Sequence, residues 1–502
     1  MQIPAELDLL IVGGGINGAG IARDAAGRGL SVALCEQADF ASGTSSASTK
    51  LIHGGLRYLE HREFRLVGEA LAEREKLLGI APHIAWPMRF VMPHLKGLRP
   101  AWMIRLGLFL YDRLGGKTTL PKSQAVSLPG SIYASGLKPE YQRGFVYSDA
   151  WVDDARLVIL NLRSAAEHGA LILPRTRFLG AEREGAVWVA RLEDVRTGET
   201  HALRTRLLIN AAGPWVGGVD NALGARGGKA SVRLVKGSHI IVPRLFEGEH
   251  AYIVQDAGKR IIFMIPYERD FTLIGTTDVV VDAIAKGASI SQQEIDYLCS
   301  SVSRYTRQPV TPDMVVWSYS GIRPLYDNGV DDPSAVTRDY TLILDGDKDA
   351  APRLSIFGGK ITTYRRLAEA ALDKLQPWLP DKRGKWTASE TLPGGDLGPG
   401  GQAALLAKLR AAYSALPEEL LLGLMRRHGT LAFEVLGERR TLADLGRDFG
   451  GELFECEVRH LVEHEWAYEA DDILWRRTKT GLHMSEDQRL AFHDYMAEYA
   501  QA

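Results

Sequence analysis

Short apolar runs and helical periodicities alternate at the start of the chain. Residues 7–12 (LDLLIV) are almost wholly apolar, which is typical of a strand buried on both faces of a parallel sheet. A glycine-rich turn follows, after which Ala19, Ala22 and Ala25 recur at helical intervals. A second apolar run occupies 31–36 (SVALCE). The pattern predicts a strand, a tight turn, a helix lying close on the sheet, and a second strand.

The predicted turn has the spacing of a dinucleotide-binding motif. Gly13, Gly15 and Gly18 form G-x-G-x-x-G, and the second strand ends in Glu36. The first glycine permits the turn, the second lets the backbone approach a pyrophosphate, and the third brings helix against strand. The helix N-terminus offers unpaired N–H groups to the phosphates. Glu36 is expected to bind ribose hydroxyls and to disfavour NADP, whose 2′-phosphate it would repel.

Two later segments favour FAD over NAD. The strand–helix alternation breaks after Glu36, and a strand ending in small residues returns only at 206–215 (RLLINAAGPW). Residues 353–372 (RLSIFGGKITTYRRLAEAAL) then predict a strand, two glycines and a long helix. A helix N-terminus beside Lys360 is suited to the negative charge of a reduced flavin. Separated pieces of this kind predict one extended cofactor, FAD.

The remaining patterns predict two further units. Residues 238–243 (SHIIVP) are expected to pair with 251–255 (AYIVQ), and 260–266 (RIIFMIP) with 271–278 (FTLIGTTD), as antiparallel strands of a substrate-covering sheet. Residues 392–402 (LPGGDLGPGGQ) have the composition of a linker. The periodic segments after it predict a small all-helical domain.

Composition narrows the function classes. The formal net charge of −2 over 502 residues gives no reason to expect a nucleic-acid partner. Three widely spaced cysteines form neither a disulfide framework nor a metal motif. The N-terminus lacks the features of a signal peptide. Because no apolar run reaches about 18 residues, no transmembrane helix is predicted.

Residues 101–116 (AWMIRLGLFLYDRLGG) come nearest to a membrane segment. Two interpretations are open: a helix half buried in a domain, or a helix lying in a membrane interface with Trp102 and Phe109 in the lipid. Two basic patches are candidates for membrane attachment, namely Arg99, Arg105 and Arg113, and Arg476, Arg477 and Lys479.

Nine motifs occur in the order found in one known family. The chain resembles the FAD-dependent, respiratory glycerol-3-phosphate dehydrogenases, and within them the aerobic bacterial enzymes, over about residues 8–390. The motifs that carry the resemblance are IVGGGINGAGIARDAAGRG, SSASTKLIHGGLRYLEH, YSDAWVDDARL, NAAGPW, KGSHIIVP, GTTD, SYSGIRPL, TRDY and FGGKITTYR. The glycine triplet alone is a weak signal, whereas HGGLRYLEH and FGGKITTYR are specific.

The resemblance implies a three-part architecture. The first part is an α/β flavin domain, Rossmann-like and of the glutathione-reductase/D-amino-acid-oxidase type, built from residues 1–80, 145–230 and 335–390. The second is an antiparallel-sheet substrate domain, 81–144 and 231–334. Residues 391–502 form the C-terminal all-helical domain.

The resemblance also implies an activity. The enzyme would oxidise sn-glycerol 3-phosphate to dihydroxyacetone phosphate and pass electrons to ubiquinone, as a homodimer peripheral to the cytoplasmic face of the inner membrane. Three alternatives are open: a glycerol-3-phosphate oxidase using oxygen, an amine or amino-acid oxidase on the same fold, and a flavin-binding scaffold without activity.

Matching positions give the expected cofactor contacts. The residues expected to bind FAD are Gly13, Gly15, Asn17, Gly18, Glu36, Thr44, Ser45, Ser46, Ser48, Lys50, His53, Gly213, Gly359, Lys360 and Thr362.

Oxidation of a phosphorylated alcohol also needs cationic anchors and a proton acceptor. Cations at predicted turns and strand ends meet the first need, and the family's substrate pocket has matching positions. The expected phosphate ligands are Arg57, Tyr58, Arg338 and Lys360, with Arg323 near the reacting hydroxyl. His239 is a candidate base near neutral pH, although a structural histidine would fit the same pattern.

One motif points to a chemistry that the rest of the chain does not support. His460 to His464 (HLVEH) fits the H-x-x-E-H zinc-protease pattern. A third protein ligand is needed and none is identifiable downstream, so a polar helix face is the expectation and no metal is predicted.

Overall fold

The three-dimensional description rests on a computed structural model, which describes residues 6–95, 100–224, 232–256, 258, 260–284, 289–326, 339–346, 350–380 and 383–499. Within these residues the strands are β1 (Leu7–Val12), β2 (Val32–Cys35), β3 (Leu51–Ile52), β4 (Ala85–His94), β5 (Gln124–Ser127), β6 (Arg143–Val152), β7 (Leu171–Leu173), β8 (Thr176–Glu184), β9 (Val187–Asp194), β10 (Thr200–Asn210), β11 (Val232–Pro243), β12 (Ala251–Gln255), β13 (Ile261–Tyr267), β14 (Phe271–Gly275), β15 (Val279–Val281), β16 (Trp317–Tyr326), β17 (Thr341–Asp345) and β18 (Arg353–Phe357). The α-helices are α1 (Ile16–Gly27), α2 (Phe64–Ile80), α3 (Ala101–Leu114), α4 (Asp154–Glu167), α5 (Val216–Ala222), α6 (Gln292–Ser303), α7 (Tyr364–Leu375), α8 (Gly401–Ala412), α9 (Glu418–His428), α10 (Ala432–Leu436), α11 (Glu455–Glu465) and α12 (Glu486–Tyr499).

The first sheet has the order β17-β18-β10-β1-β2-β7, with β18, β10, β1, β2 and β7 parallel. Strands β1 and β2 at its centre are apolar and buried along almost their whole length because both faces of the sheet are covered there. Helices α1, α4 and α7 pack on one face, and β8, β9 and α5 pack on the other. The predicted strand–turn–helix–strand unit at the start of the chain is confirmed.

The second sheet is mostly antiparallel, in the order β15-β11-β14-β13-β12-β4-β6-β3. The predicted pairing of 260–266 with 271–278 is confirmed, since β13 pairs with β14. The predicted pairing of 238–243 with 251–255 is wrong. Strand β11 lies against β14 and β16, because the chain first crosses to β12 and then returns through two hairpins. Short-range alternation identifies strands but leaves their neighbours open.

The sheets divide the chain differently from the predicted boundaries at two places. Strands β3 and β6 belong to the second sheet, although both fall in segments assigned to the flavin domain. Strand β6 pairs with β4 along ten residues and then leads directly into α4 of the first sheet. The crossing between domains therefore occurs at the end of β6, near Asp153, where no linker composition marks it.

The helices after Gly401 form the C-terminal unit, with its own apolar clusters. The predicted linker is packed rather than free: a Cβ on Gly394 would meet the His428 carbonyl oxygen at 2.1 Å. A buried ion pair between Arg156 on α4 and Glu465 on α11, with Arg156 Nη2 to Glu465 Oε1 at 2.9 Å, fastens this unit to the first sheet. Burial would raise the pKa of Glu465, but Arg156 outweighs it and the pKa is lowered.

The predicted basic patch of Arg476, Arg477 and Lys479 is not exposed on the protein surface. Arg477 and Lys479 are 0% and 2% exposed, and Arg476 pairs with Asp39 and Asp472. The expectation that these three cations face a membrane is therefore wrong, because carboxylates of the protein itself neutralise them.

Helix α3 presents an apolar face to solvent. Trp102 is 66%, Leu106 51% and Phe109 49% exposed, whereas Leu108 and Tyr111 are buried on the other side. Arg105 and Arg113 flank the exposed face, and Arg99 lies outside the described residues. Among the helices described, none combines the length and apolar character needed to cross a bilayer.

Candidate active site

A cavity of about 750 Å³ lies between the two sheets. The carboxyl ends of the parallel strands β1, β10 and β18 open onto it, which is where ligands bind in α/β sheets. The predicted site residues that line it are Gly13, Gly15, Asn17, Glu36, Thr44, Ser45, Ser48, His53, Tyr58, Gly213, His239, Arg323, Gly359, Lys360 and Thr362.

The glycine turns bring backbone to the cavity wall. Gly13 has φ +114°, and a Cβ there would meet the Ala211 carbonyl oxygen at 2.6 Å. A Cβ on Gly18 would lie 2.0 Å from the Gly13 carbonyl oxygen, so Gly18 serves helix–strand packing and does not line the cavity. Gly359 has φ +99°, a conformation that side chains rarely adopt. Both predicted phosphate-binding turns are therefore formed.

Glu36 stands where the sequence placed it, at the end of β2. Its carboxylate accepts hydrogen bonds from Gly14 N at 2.8 Å and Ala38 N at 2.9 Å. Burial raises its pKa, partly offset by these backbone donors. The carboxylate is held rigidly at the cavity, with lone pairs left for a diol.

The hydroxyl-rich loop lines the next part of the cavity. Ser45 Oγ accepts from Ile16 N at 3.0 Å, which ties the loop to the N-terminus of α1. Thr44 donates to the Ile322 carbonyl and Ser48 donates to Asp154 at 2.7 Å. The loop is therefore held between the two sheets.

Ser46 and Lys50 are not at the cavity. Lys50 is 1% exposed and donates to Asp154 Oδ1 at 2.6 Å and to the Ser46 carbonyl at 3.1 Å. The expected contact of Lys50 with the cofactor is corrected to a supporting role, because its charge is neutralised beneath the loop by Asp154. The Ser46 side chain is half-buried away from the cavity lining.

The cations predicted to bind the substrate differ in their position relative to the cavity. The Lys360 Nζ lies 4.0 Å from the centre of the Tyr58 ring, is buried, and has no hydrogen-bond partner in the described part of the chain. Arg323 lines the cavity but donates to Thr277 O at 3.1 Å and to Asp278. Arg57 is half-buried in the 3₁₀ turn Leu56–His61 and does not line the cavity. Arg338 lies outside the described residues.

His239 is enclosed on β11. It is 2% exposed, its Nε2 lies 3.0 Å from Thr49 Oγ1, and its ring stacks on Tyr319 with centres 4.8 Å apart. Burial, together with the charges of Lys50 and Arg323, lowers its pKa to about 3. The imidazole is therefore neutral at pH 7, and the role of His239 as a base stays a prediction.

Several site residues were not singled out from the sequence. Thr49 and Asp339 line the cavity, and Tyr319 holds His239 from behind while donating to the Ser48 carbonyl at 2.8 Å. Asp154, at the start of α4, organises the loop beneath the site. The sequence could have identified these residues only by their occurrence within the family motifs. Their hydrogen-bond partners lie more than 100 positions away, so no local pattern shows their roles.

The helix with the zinc-protease pattern has an ion-paired environment. The Glu434 carboxylate lies 3.6 Å from His460 Nδ1 and 3.7 Å from His464 Nε2. Arg163 contacts both His460 Nε2, at 3.1 Å, and Glu434, at 3.4 Å. Glu434, His460 and His464 therefore bring three potential ligand atoms within 4.8 Å of one another, with the Arg163 guanidinium against two of these side chains.

The cavity fits an extended dinucleotide. Asn17 Oδ1, His239 Nδ1 and Lys360 Nζ are buried polar atoms without a partner among the described residues, and all three residues line the cavity. Such atoms are costly unless a ligand satisfies them. Together with two glycine turns and the α1 N-terminus, they match the phosphates and hydrogen-bonding ring edge of FAD.

Comparisons with known proteins agree with this geometry. The family model described as FAD dependent oxidoreductase matches residues 8–365, and the model described as C-terminal domain of alpha-glycerophosphate oxidase matches residues 386–501. The aerobic glycerol-3-phosphate dehydrogenase of Escherichia coli is 50% identical, over 98% of each chain. The D-erythritol 1-phosphate dehydrogenase of Brucella abortus is also 50% identical, over 99% of this chain and 98% of its own length.

A solved structure supports the fold. The glycerol-3-phosphate dehydrogenase from Bacillus halodurans complexed with FAD superposes with a TM-score of 0.74, covering 99% of this chain and 95% of that chain at 24% identity. The predicted fold class, the FAD cofactor and the family resemblance are all confirmed. The chain belongs to the FAD-dependent oxidoreductases, in the group whose members include the glycerol-3-phosphate dehydrogenases and carry the helical C-terminal domain.

Proposed function

We propose that the enzyme oxidises sn-glycerol 3-phosphate to dihydroxyacetone phosphate and passes the electrons to ubiquinone. The observation that carries this proposal is the buried Lys360 ammonium, which lies against Tyr58 at the cavity without an anionic partner among the described residues. A buried cation is costly unless an anion joins it. A substrate phosphate is the anion that the relatives' names suggest.

The residues divide the work between binding and proton handling. FAD, when bound, supplies the acceptor for the hydride that leaves C2. Lys360 and Tyr58 bind the phosphate and so orient C2, which is itself a large part of the catalysis. Arg338 remains a proposed phosphate ligand on its sequence motif alone, whereas Arg57 does not line the cavity and is not assigned to the phosphate.

Arg323 and His239 are assigned to the alcohol end. Arg323 is partly neutralised by Asp278, so it is suited to a hydroxyl or developing alkoxide more than to a dianion. Neutral His239, held by Thr49, offers one ring nitrogen as a hydrogen-bonding group. His53 lines the same cavity, which is consistent with the proposal that it lies beside the flavin.

A second substrate is favoured by one observation. The D-erythritol 1-phosphate dehydrogenase is as similar to this chain as a glycerol-3-phosphate dehydrogenase is. Both substrates carry a phosphate and a secondary alcohol, so the same anchors would serve either. The difference concerns one additional hydroxymethylene unit in the cavity.

We also propose that the enzyme is peripheral to the cytoplasmic face of the inner membrane and acts as a homodimer. The exposed apolar face of α3, flanked by Arg105 and Arg113, has the character of an interfacial helix. Contact with the bilayer would give access to a lipid-soluble quinone.

Anaerobic mixing tests the activity directly. The flavin absorbance should be lost with sn-glycerol 3-phosphate faster than with D-erythritol 1-phosphate, and a quinone analogue should restore it. No loss with either compound would contradict the proposal. A faster reaction with the erythritol compound would select the second substrate, and rapid reoxidation by oxygen with peroxide release would select an oxidase.

Lys360→Met should raise the KM for glycerol 3-phosphate and lower kcat/KM by an amount equivalent to about 2–5 kcal/mol, as for a truncated buried charge pair. Affinity for dihydroxyacetone phosphate, measured by the flavin spectrum, should fall in parallel. Lys374→Met, at an exposed position near the end of α7, the helix that follows Lys360 in the chain, is the matched control. Equal kinetics in the two variants would remove Lys360 from the phosphate site.

His239→Gln should lower kcat but leave the shape of the pH profile of kcat/KM unchanged from about pH 6 to about pH 9. The reason is that the folded-state pKa of about 3 lies below the usual value, so His239 is already neutral over this range. If the acidic limb of the profile disappeared in the variant, His239 would be the titrating base and this assignment would be wrong.

Trp102→Glu combined with Phe109→Glu should reduce co-sedimentation with anionic phospholipid vesicles by more than about tenfold, because two apolar anchors are lost. Leu490→Glu, at an equally exposed position on α12, is the control. Unchanged sedimentation of the double variant would exclude α3 as the membrane-binding surface.

A further inference from the structure

One segment of the C-terminal helical unit reaches the back of the cofactor site. This docking segment consists of the π-helix Asp472–Arg477 and the residues 478–480 that follow it. Isolated π-helical turns are uncommon and frequently occur at functional sites. Its side chains are mostly buried although it belongs to a peripheral unit.

The docking segment meets the loop that holds the adenosine end of the cavity. Residues 36–45, here called the FAD loop, line the cavity at most positions, including Glu36 and Ser45. Asp39 and Phe40 are the two consecutive members that face away from it, and they are 2% and 0% exposed. The loop therefore has a cofactor side and an interdomain side.

The interdomain side is held by a buried bidentate ion pair. Arg477 Nη1 and Nη2 donate to the two Asp39 carboxylate oxygens at 2.7 and 2.8 Å, and Arg477 also donates to the Glu465 carbonyl at 2.8 Å. Arg476 contacts the same carboxylate. Burial would raise the pKa of Asp39, but Arg477 and Arg476 outweigh it and the pKa is lowered. A bidentate pair between a guanidinium and a carboxylate fixes the relative orientation of the two side chains as well as neutralising their charges.

The neighbouring Phe40 continues the contact to the glycine motif. Its ring meets Trp466 of the C-terminal unit edge-on, with centres 5.5 Å apart. The opposite side of the Phe40 ring packs directly against Gly14. It occupies the space that a side chain at this position would need, since a Cβ on Gly14 would lie 2.5 Å from Phe40 Cδ1. Displacement of Phe40 would therefore reach the phosphate-binding turn directly.

The docking segment also contacts the substrate side. Trp475 stacks on Trp317 with ring centres 4.6 Å apart, and Trp317 begins β16, which carries Arg323. Lys479 donates to Asp153 at 3.1 Å, next to the Asp154 that supports the hydroxyl-rich loop through Ser48 and Lys50. One short segment thus supports both walls of the cavity from behind.

We propose that Arg477 is a positioning residue for FAD: by holding Asp39 it keeps the FAD loop in its binding conformation, so that FAD binding and docking of the C-terminal unit are energetically coupled. Without Arg477, Asp39 would be a buried carboxylate with one partner fewer, and movement of the loop towards water would relieve it. That movement would carry Glu36 away from the cavity and Phe40 away from Gly14. By reciprocity, FAD must stabilise the docked segment by the same free energy.

The test compares two arginine–carboxylate pairs, each made by an arginine of the C-terminal unit, in the full-length protein. Arg477→Met should raise the FAD dissociation constant, measured by fluorescence after removal and readdition of FAD, by about tenfold or more. Arg427→Met breaks the Arg427–Glu457 pair, at 2.7 and 2.9 Å, which does not touch the FAD loop. It should lower stability to urea but change FAD affinity less than about twofold. Arg477→Lys should recover part of the affinity.

A measurement on the unaltered protein covers the case in which Arg477→Met does not fold. Hydrogen exchange with and without FAD should show FAD-dependent protection of amides in 472–480 and no change in α12. Absence of that protection would overturn the coupling. Equal losses of FAD affinity in Arg477→Met and Arg427→Met would also overturn it, since they would reduce Arg477 to general stability.

Discussion

Close approach of backbone to a long anionic cofactor is the constraint on which this structure depends. The carboxyl ends of β1, β10 and β18 converge at one cavity, and glycines stand where a side chain would collide with a carbonyl. At Gly13 and Gly18 the obstacles are backbone atoms, which cannot move aside as a flexible side chain can. The parallel pairing of these strands, enforced by helices on the sheet face, therefore comes first, and the site follows from it.

Charge is distributed so that one buried cation at the cavity is left for the ligand. Lys50 and Arg323 also lie near this wall, but Asp154 and Asp278 respectively balance them. Lys360 is buried against an aromatic ring, with no such partner in the described structure. In the proposed function, the substrate phosphate is the anion that would pair with the Lys360 ammonium. Cations that occur in similar sequence motifs therefore differ in function, because some are neutralised by carboxylates of the protein and Lys360, among the described residues, is not.

The C-terminal unit has its own apolar core and is also joined to the rest of the protein by ion pairs. Arg156 and Glu465 join it to α4, and Arg477 joins it to the loop behind the adenosine end of the cavity. These contacts are buried ion pairs, which contribute geometry more than net stability. The sequence predicted a membrane-binding patch in the same segment because it contains three cations close together. The carboxylates that neutralise those cations lie elsewhere in the sequence, so the local pattern does not show them.

The amino-acid sequence by itself determined the local elements and the chemistry of the cofactor turns. The run Leu7–Val12, the glycine spacing and Glu36 specify their structure through neighbouring residues, as do Gly358–Gly359–Lys360, so they could be predicted. Tertiary structure alone decided which strands are neighbours, as with β11 and β12, and which polar groups are neutralised, as with Lys50, Arg477 and Lys479. It also decided that His239 is neutral, since its pKa depends on burial and on charges from Lys50 and Arg323. The physical reason is that desolvation and ion pairing are set by residues distant in sequence, which no local pattern records.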